Sequence, residues 1–207
     1  MDFDPQQMRA ADFYQHLIRV IMPRPIAWVS TVSLEGVCNL APFSFFTGAG
    51  SRPASIVFCP SNRRDGTFKD TLRNILETEE FVVNVVPFQL AEAMNLSSAE
   101  LPADESEFEL TGLATVASKV VSPCRLADSP VSLECRLMHH LALDPGPGGA
   151  NVVVGRVVQL HLEGSVLDSS GFADPGLLDL IGRLGGQSYC RTTDRFELNR
   201  PEIRRQN

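Results

Sequence analysis

No stretch of the sequence approaches the roughly 18 consecutive apolar residues that a membrane-spanning helix needs. The start, MDFDPQQMRAADF, is acidic, where a secretory leader would set a basic segment before an apolar one. Both absences point to a cytoplasmic chain without a membrane anchor. No Cys-x-x-Cys pair occurs, and Cys38, Cys59, Cys124, Cys135 and Cys190 are scattered and odd in number. Neither a disulfide framework nor a structural zinc site is therefore expected, and no metal is called for. The five read as small buried thiols, with a redox role for one of them left open. A Gly-x-Gly-x-x-Gly loop opening a helix after a strand is missing as well. Gly48-Ala49-Gly50 runs into Ser51-Arg52-Pro53 without a third glycine, and Gly146 to Gly149 reads as a turn. Walker loops, a nucleophile elbow, metal-ligand helices and internal repeats are also lacking. Positive charge is the scarcer sign: 18 Lys and Arg against 25 Asp and Glu leave a net −7. Such a chain repels nucleic acid and anionic membranes, so a phosphate-bearing ligand would need a local basic pocket.

What remains is an ordinary folded composition, 43% hydrophobic and 21% charged over 207 residues, and a single domain across 1–207 is expected. Val-rich, partly alternating segments dominate. VSLECRLMHHLAL and NVVVGRVVQLHLEG predict a long antiparallel hairpin across the Pro/Gly run DPGPGGA, Asp144 to Ala150. IAWVSTVS and VCNLAPFSFF predict two strands about the turn Leu34-Glu35-Gly36, and ASIVFC and FVVNVV two more. KDTLRNILETEE, with Leu72, Ile75 and Leu76 at helical spacing and no Pro or Gly, predicts an amphipathic helix. Ala10 to Val20, QLAEAMN and LLDLIGRL, the last closed by Gly185-Gly186, are further helical candidates. Many short strands with few helices fit a closed or partly closed β-barrel carrying helices on its outside.

Two clusters carry chemistry. In Pro23 to Phe46, Ser30, Thr31, Asn39 and Ser44 interrupt strongly apolar strands, and polar groups there need partners. They either satisfy neighbouring backbone or line a pocket for a ring system, with Pro42 and Phe43 as apolar contacts. In PSNRRDGTFKDT, Ser61, Arg63, Arg64, Lys69 and Thr71 gather phosphate-compatible groups at the start of the predicted helix, where free N–H groups and the dipole favour an anion. Asp65 and Asp70 dilute that charge, and Asp-Gly-Thr is equally an ordinary turn with a cap. His139-His140 would point to opposite faces of a strand and so share no metal.

The segments PRPIAWVST, NLAPFSFF, RRDGTFKDTLRNI, FVVNVV, LAEAMN, SPVSLECRL, GRVVQLHL, RLGGQSY and FELNRP, in that order, resemble the flavin reductase-like FMN-binding split-barrel family, in its flavoredoxin-related branch of short proteins. The resemblance covers nearly the whole chain. It implies a mainly β fold with peripheral helices, a Greek-key split β-barrel that dimerises and holds FMN near the subunit interface. Ring and ribityl contacts would fall on Ser30, Thr31, Asn39, Ala41, Pro42, Phe43 and Ser44. Phosphate contacts would fall on Ser61, Arg63 and Lys69, with Asp70 and Thr71 adjacent and Arg64 beside them. His161 would lie near the flavin face, positioning the nicotinamide or a proton, or else be a satisfied structural histidine. Arg183, Gly185, Gly186 and Tyr189 would close over the ring, or else form an ordinary helix end. The activity implied is hydride transfer from NADH or NADPH to FMN, with a partner oxygenase or another electron acceptor downstream. The alternative is a flavoredoxin-like electron carrier without nicotinamide activity of its own.

Overall fold

The structure, a computed structural model, describes residues 1–201. Helix α1 (Ala10–Val20) leads into strands β1 (Ala27–Val32), β2 (Cys38–Phe43), β3 (Phe46–Ser51) and β4 (Ala54–Phe58). Helix α2 (Asp70–Thr78), strand β5 (Glu80–Asn84) and the short helices α3 (Ala91–Leu96) and α4 (Glu107–Thr111) follow. Two-residue strands β6 (Thr115–Val116) and β7 (Arg125–Leu126) precede the long pair β8 (Val131–Ala142) and β9 (Asn151–Leu162). A one-turn helix α5 (Pro175–Leu178) and a small hairpin of β10 (Ile181–Arg183) and β11 (Tyr189–Arg191) complete the described chain.

The protein is mainly β. Seven strands form one antiparallel sheet in the order β2-β1-β5-β8-β9-β4-β3. Its two edge strands, β2 and β3, are consecutive in the chain and separated by Ser44 and Phe45 alone. Laid flat, seven strands would hold those edges about 29 Å apart, whereas two intervening residues reach roughly 11 Å. The sheet must therefore curl until its edges nearly meet, although no ladder joins β2 to β3 among the described residues.

Strand periodicity divides the buried side chains between the two faces of this curl. Ala27 and Val29 of β1, Phe81 and Val83 of β5, Ile56 and Phe58 of β4, Cys135 and Val153 fill the concave interior. Helix α2 plugs it with Leu72 and Ile75, both fully buried, each contributing about 1.5–3 kcal/mol of transfer free energy. On the opposite face Trp28, Leu40 and Val86 pack under Met94 of α3 and Phe108 of α4, and the Trp28 indole donates to Ser97 Oγ at 2.8 Å.

The β8–β9 hairpin, α1 and α2 form where periodicity predicts them. Three expectations are corrected. LLDLIGRL is not a helix: Asp174 and Pro175 start one turn, but Asp179 turns left-handed at φ 42° and ends it. Ile181 then donates to Val86 O and pairs with Arg191, so the backbone bonds go across the chain rather than along it. VCNLAPFSFF is not a single strand but breaks at Ser44-Phe45, and the Gly-rich FTGAGS beyond it forms edge strand β3. Of the five thiols only Cys135 is buried; the others are half-exposed.

Candidate functional site

The loop before α2 is fixed by the β8–β9 turn. Asn62 is buried, its Nδ2 donates to Gly146 O at 3.0 Å and its Oδ1 accepts from Asn151 Nδ2 at 2.7 Å. Arg63 N donates to Thr67 O at 2.8 Å, and Asp65 Oδ1 accepts from Thr67 N at 2.9 Å, closing a tight turn. Lys69 is the N-cap residue of α2 and supplies no side-chain cap. The earliest helical bond runs from Arg73 N to Lys69 O, so the N–H groups of Asp70, Thr71 and Leu72 find no acceptor among the described residues. Three unpaired donors and the positive end of the dipole make this a favourable position for an anion.

That helix start opens into a cavity of about 70 Å³ lined by Asn39, Ala41, Pro42, Phe43, Arg63, Lys69, Asp70, Thr71 and Glu107. Asp70 pairs with Arg63 and with Arg73, at 2.8 Å, whereas Lys69 carries no ion pair among the described residues. Asn39 Nδ2 donates to Thr71 Oγ1 at 2.9 Å, tying β2 to the helix. Glu107 accepts from Leu40 N at 2.8 Å, and burial pushes its carboxyl up despite that bond.

Pro42, Phe43 and Ser98 also line a wider cavity of about 400 Å³, so the two cavities adjoin and together make up one groove. Its remaining walls come from α1 (Tyr14, Gln15, Ile18), Arg24, Ser44, Met94, Asn95 and the β10–β11 hairpin (Arg183, Gly186, Tyr189). Arg183 lies 4.3 Å over the Tyr189 ring and donates to Gly186 O at 2.6 Å. Gly185 lets α1 approach: a β-carbon there would fall 2.3 Å from Arg19 Cγ. Arg24 donates to Ile18 O at 2.6 Å and Leu184 O at 2.9 Å, joining α1 to the hairpin, and desolvation lowers its pKa.

Twelve of the sequence-derived residues thus surround or border this groove. Others do not. Ser30 and Thr31 are fully buried behind it, where Ser30 Oγ donates to Cys124 O at 2.6 Å and Thr31 Oγ1 accepts from Asn74 Nδ2 at 3.0 Å. Ser61 is exposed and lines neither cavity. His161 borders a separate cavity of about 440 Å³, and its Nε2 bonds the wholly buried Glu134 at 2.6 Å. Burial would raise the Glu134 carboxyl, but bonds from Lys119 N, Val120 N and His161 hold it below its ordinary range. Within one chain, His161 and the groove are not brought together. Arg24 and Glu107 were missed by sequence reasoning. Arg24 sits inside PRPIAW, but its carbonyl partners are set by tertiary packing, and Glu107 lies in a segment without periodicity. No group of three potential metal ligands occurs among the described residues, and no described helix is long and apolar enough to cross a membrane.

Comparison with known proteins places the chain in a family. Residues 19–183 match the family described as the flavin reductase like domain. An uncharacterized protein of Halalkalibacterium halodurans is 40% identical over 206 residues, 98% of either chain. Nitrilotriacetate monooxygenase component B from Bacillus cereus superposes with a TM-score of 0.90 at 33% identity, covering 96% of this chain and 98% of its own. The 2-nitrobenzoate 2-nitroreductase NbaA of Pseudomonas fluorescens does so with 0.87 at 32% identity, covering 97% and 96%.

Proposed function

Because the chain belongs to the flavin reductase-like family, we propose that its groove binds FMN and that it works as an NAD(P)H-dependent flavin reductase. The observation that carries this reading is the groove's polarity: an uncapped helix start with Lys69 and Arg63 at its narrow end, apolar Pro42 and Phe43 in the middle, and an Arg-Tyr-lined mouth. A phosphate fits the narrow end, where charge-assisted bonds from Lys69 and Arg63 would join those of three bare amides. A flat ring fits the wide end, with Ala41, Pro42 and Phe43 against one side, Ser44 able to bond a ring heteroatom, and Arg183, Gly185 and Tyr189 enclosing it. When bound, FMN supplies the hydride-accepting ring. The chain's own part is orientation and exclusion of water, which requires no side-chain nucleophile or acid–base pair.

Ser30 and Thr31, bonded to Cys124 O and Asn74, would act indirectly by fixing β1. Asp70 holds Arg63 in place, and Asn39 aligns Thr71. We further read the curled sheet as the single-domain Greek-key split barrel of the family, cytoplasmic and paired as a homodimer. A role for His161 toward the nicotinamide requires the second copy to bring it to the groove. Likeness to a monooxygenase component B supports a partner oxygenase that receives reduced flavin.

The test is the purified protein's absorption spectrum together with oxidation of NADH and NADPH in the presence of FMN. Flavin binding with rapid nicotinamide oxidation is expected. A bound yellow cofactor without oxidation would favour an electron carrier, and no flavin uptake at all would sink both.

A further inference from the structure

Cys38 opens β2, and Cys124 ends the irregular segment between β6 and β7, 86 positions away in sequence; the Cys124 thiol donates to Cys38 Sγ across 4.0 Å. Both are half-exposed, on the rim of the apolar cluster around Trp28 and Leu40, and neither contributes to the flavin groove. We propose that Cys38 and Cys124 are a peroxide-reactive pair that closes into a reversible intramolecular disulfide, with Cys38 as the attacking thiol and Cys124 as the resolving one.

The approach needed is modest. The sulfurs must close from 4.0 Å to about 2.05 Å. Cys38 is fixed in a strand ladder opposite Val32, and the Cys124 carbonyl is held by Ser30 Oγ at 2.6 Å, so the approach falls mainly to rotation of the two side chains. The hydrogen bond that Cys124 donates to Cys38 Sγ lowers the Cys38 thiol against the opposing effect of burial and so favours its thiolate. Cys59 and Cys135 are pushed the other way by burial, and among the described thiols the Cys38–Cys124 pair is the one joined by a sulfur–sulfur contact.

The chemistry balances with a hydroperoxide as oxidant. Cys38 thiolate attacks one peroxide oxygen and the O–O bond breaks; with hydrogen peroxide, Cys38 sulfenic acid forms and hydroxide leaves to be protonated to water. Cys124 sulfur then displaces the sulfenic oxygen, the S–S bond forms, and the displaced oxygen departs with the Cys124 proton as a second water. Two thiols lose two electrons in total, and the peroxide gains them.

The test treats the full chain with hydrogen peroxide, alkylates the remaining thiols and maps the products under non-reducing conditions. Chymotrypsin separates Cys38 from Cys59, because Phe43, Phe45 and Phe46 lie between them. Two of the five thiols should be lost together, in a peptide joining Cys38 to Cys124 within one chain, and regained with a thiol reductant. Cys124→Ser should instead leave a sulfenic acid at Cys38 that dimedone captures. Five fully alkylated cysteines, a bridge between chains, or irreversible oxidation of Cys38 in the parent protein without the joined peptide would each overturn the proposal.

Discussion

Lys69 is the cation whose loss should be felt most in the narrow end of the groove, since Arg63 is already shared with Asp70. Hydrogen bonds to charged groups are worth about 1.5–3 kcal/mol, so Lys69→Ala should weaken FMN binding by roughly 10- to 100-fold, and the double variant with Arg63→Ala by more. Melting without flavin should barely change, because both side chains are partly solvated. Quenching of flavin fluorescence gives the affinity, and an unaltered value in the double variant would remove the phosphate assignment. Glu107 carries a prediction about pH. Its carboxyl is raised in the folded chain, so ionising it costs folding free energy: stability falls as pH climbs from the unfolded carboxylate range toward the folded value. Glu107→Gln should flatten that fall in a series of thermal melts, because the amide oxygen can still accept from Leu40 N. At this scale the sequence revealed which residues were polar in apolar strands but not what they touch. Asn39 reaches the groove while Thr31, directly opposite it in the β1–β2 register, is consumed by Asn74.

Among the elements, β9 owes its path to a missing side chain. A β-carbon at Gly155 would fall 2.3 Å from Cζ of the fully buried Phe81, whose ring packs tilted against Phe58 in the concave interior, centroids 5.6 Å apart. Gly155→Ala should therefore destabilise by about 1–3 kcal/mol through overpacking, a drop in melting temperature of roughly 2–12 °C for a chain of this size by differential scanning calorimetry. Elements with one dominant period were readable in advance: α2 through Leu72, Ile75 and Leu76, the β8–β9 pair through its Val-rich runs and the Pro/Gly turn. Elements whose apolar residues fit two periods were not. Leu180 and Ile181 satisfy a helix as well as a strand, and the partner that decides between them, Val86, lies far off in sequence. Strand β3 has almost no apolar signal because its residues face solvent at the sheet edge.

For the molecule as a whole, the curl implied by the β2–β3 connection could not be seen locally, since it depends on strands at opposite ends of the sheet being chain neighbours. Glu134 ties this assembly together by holding residues 119 and 120 and His161 on one buried carboxylate. Its lowered pKa means that this contribution is present above the unfolded carboxylate range and is lost as pH falls through the folded value. Glu134→Ala should cost about 1–3 kcal/mol at neutral pH by denaturant titration, since buried donors lose their acceptor. The proposed pairing of two copies predicts a light-scattering mass of twice 22.7 kDa. Finally, the helix that seals the concave interior begins with three amides that a bound phosphate would complete. Leu72 and Ile75 hang from the same turns as the three bare amides, so a phosphate bound there would steady the floor of the protein as well as seating the visitor. Deprived of it, the chain should melt earlier and surrender the backbone hydrogens of Thr71 and Leu72 to solvent first.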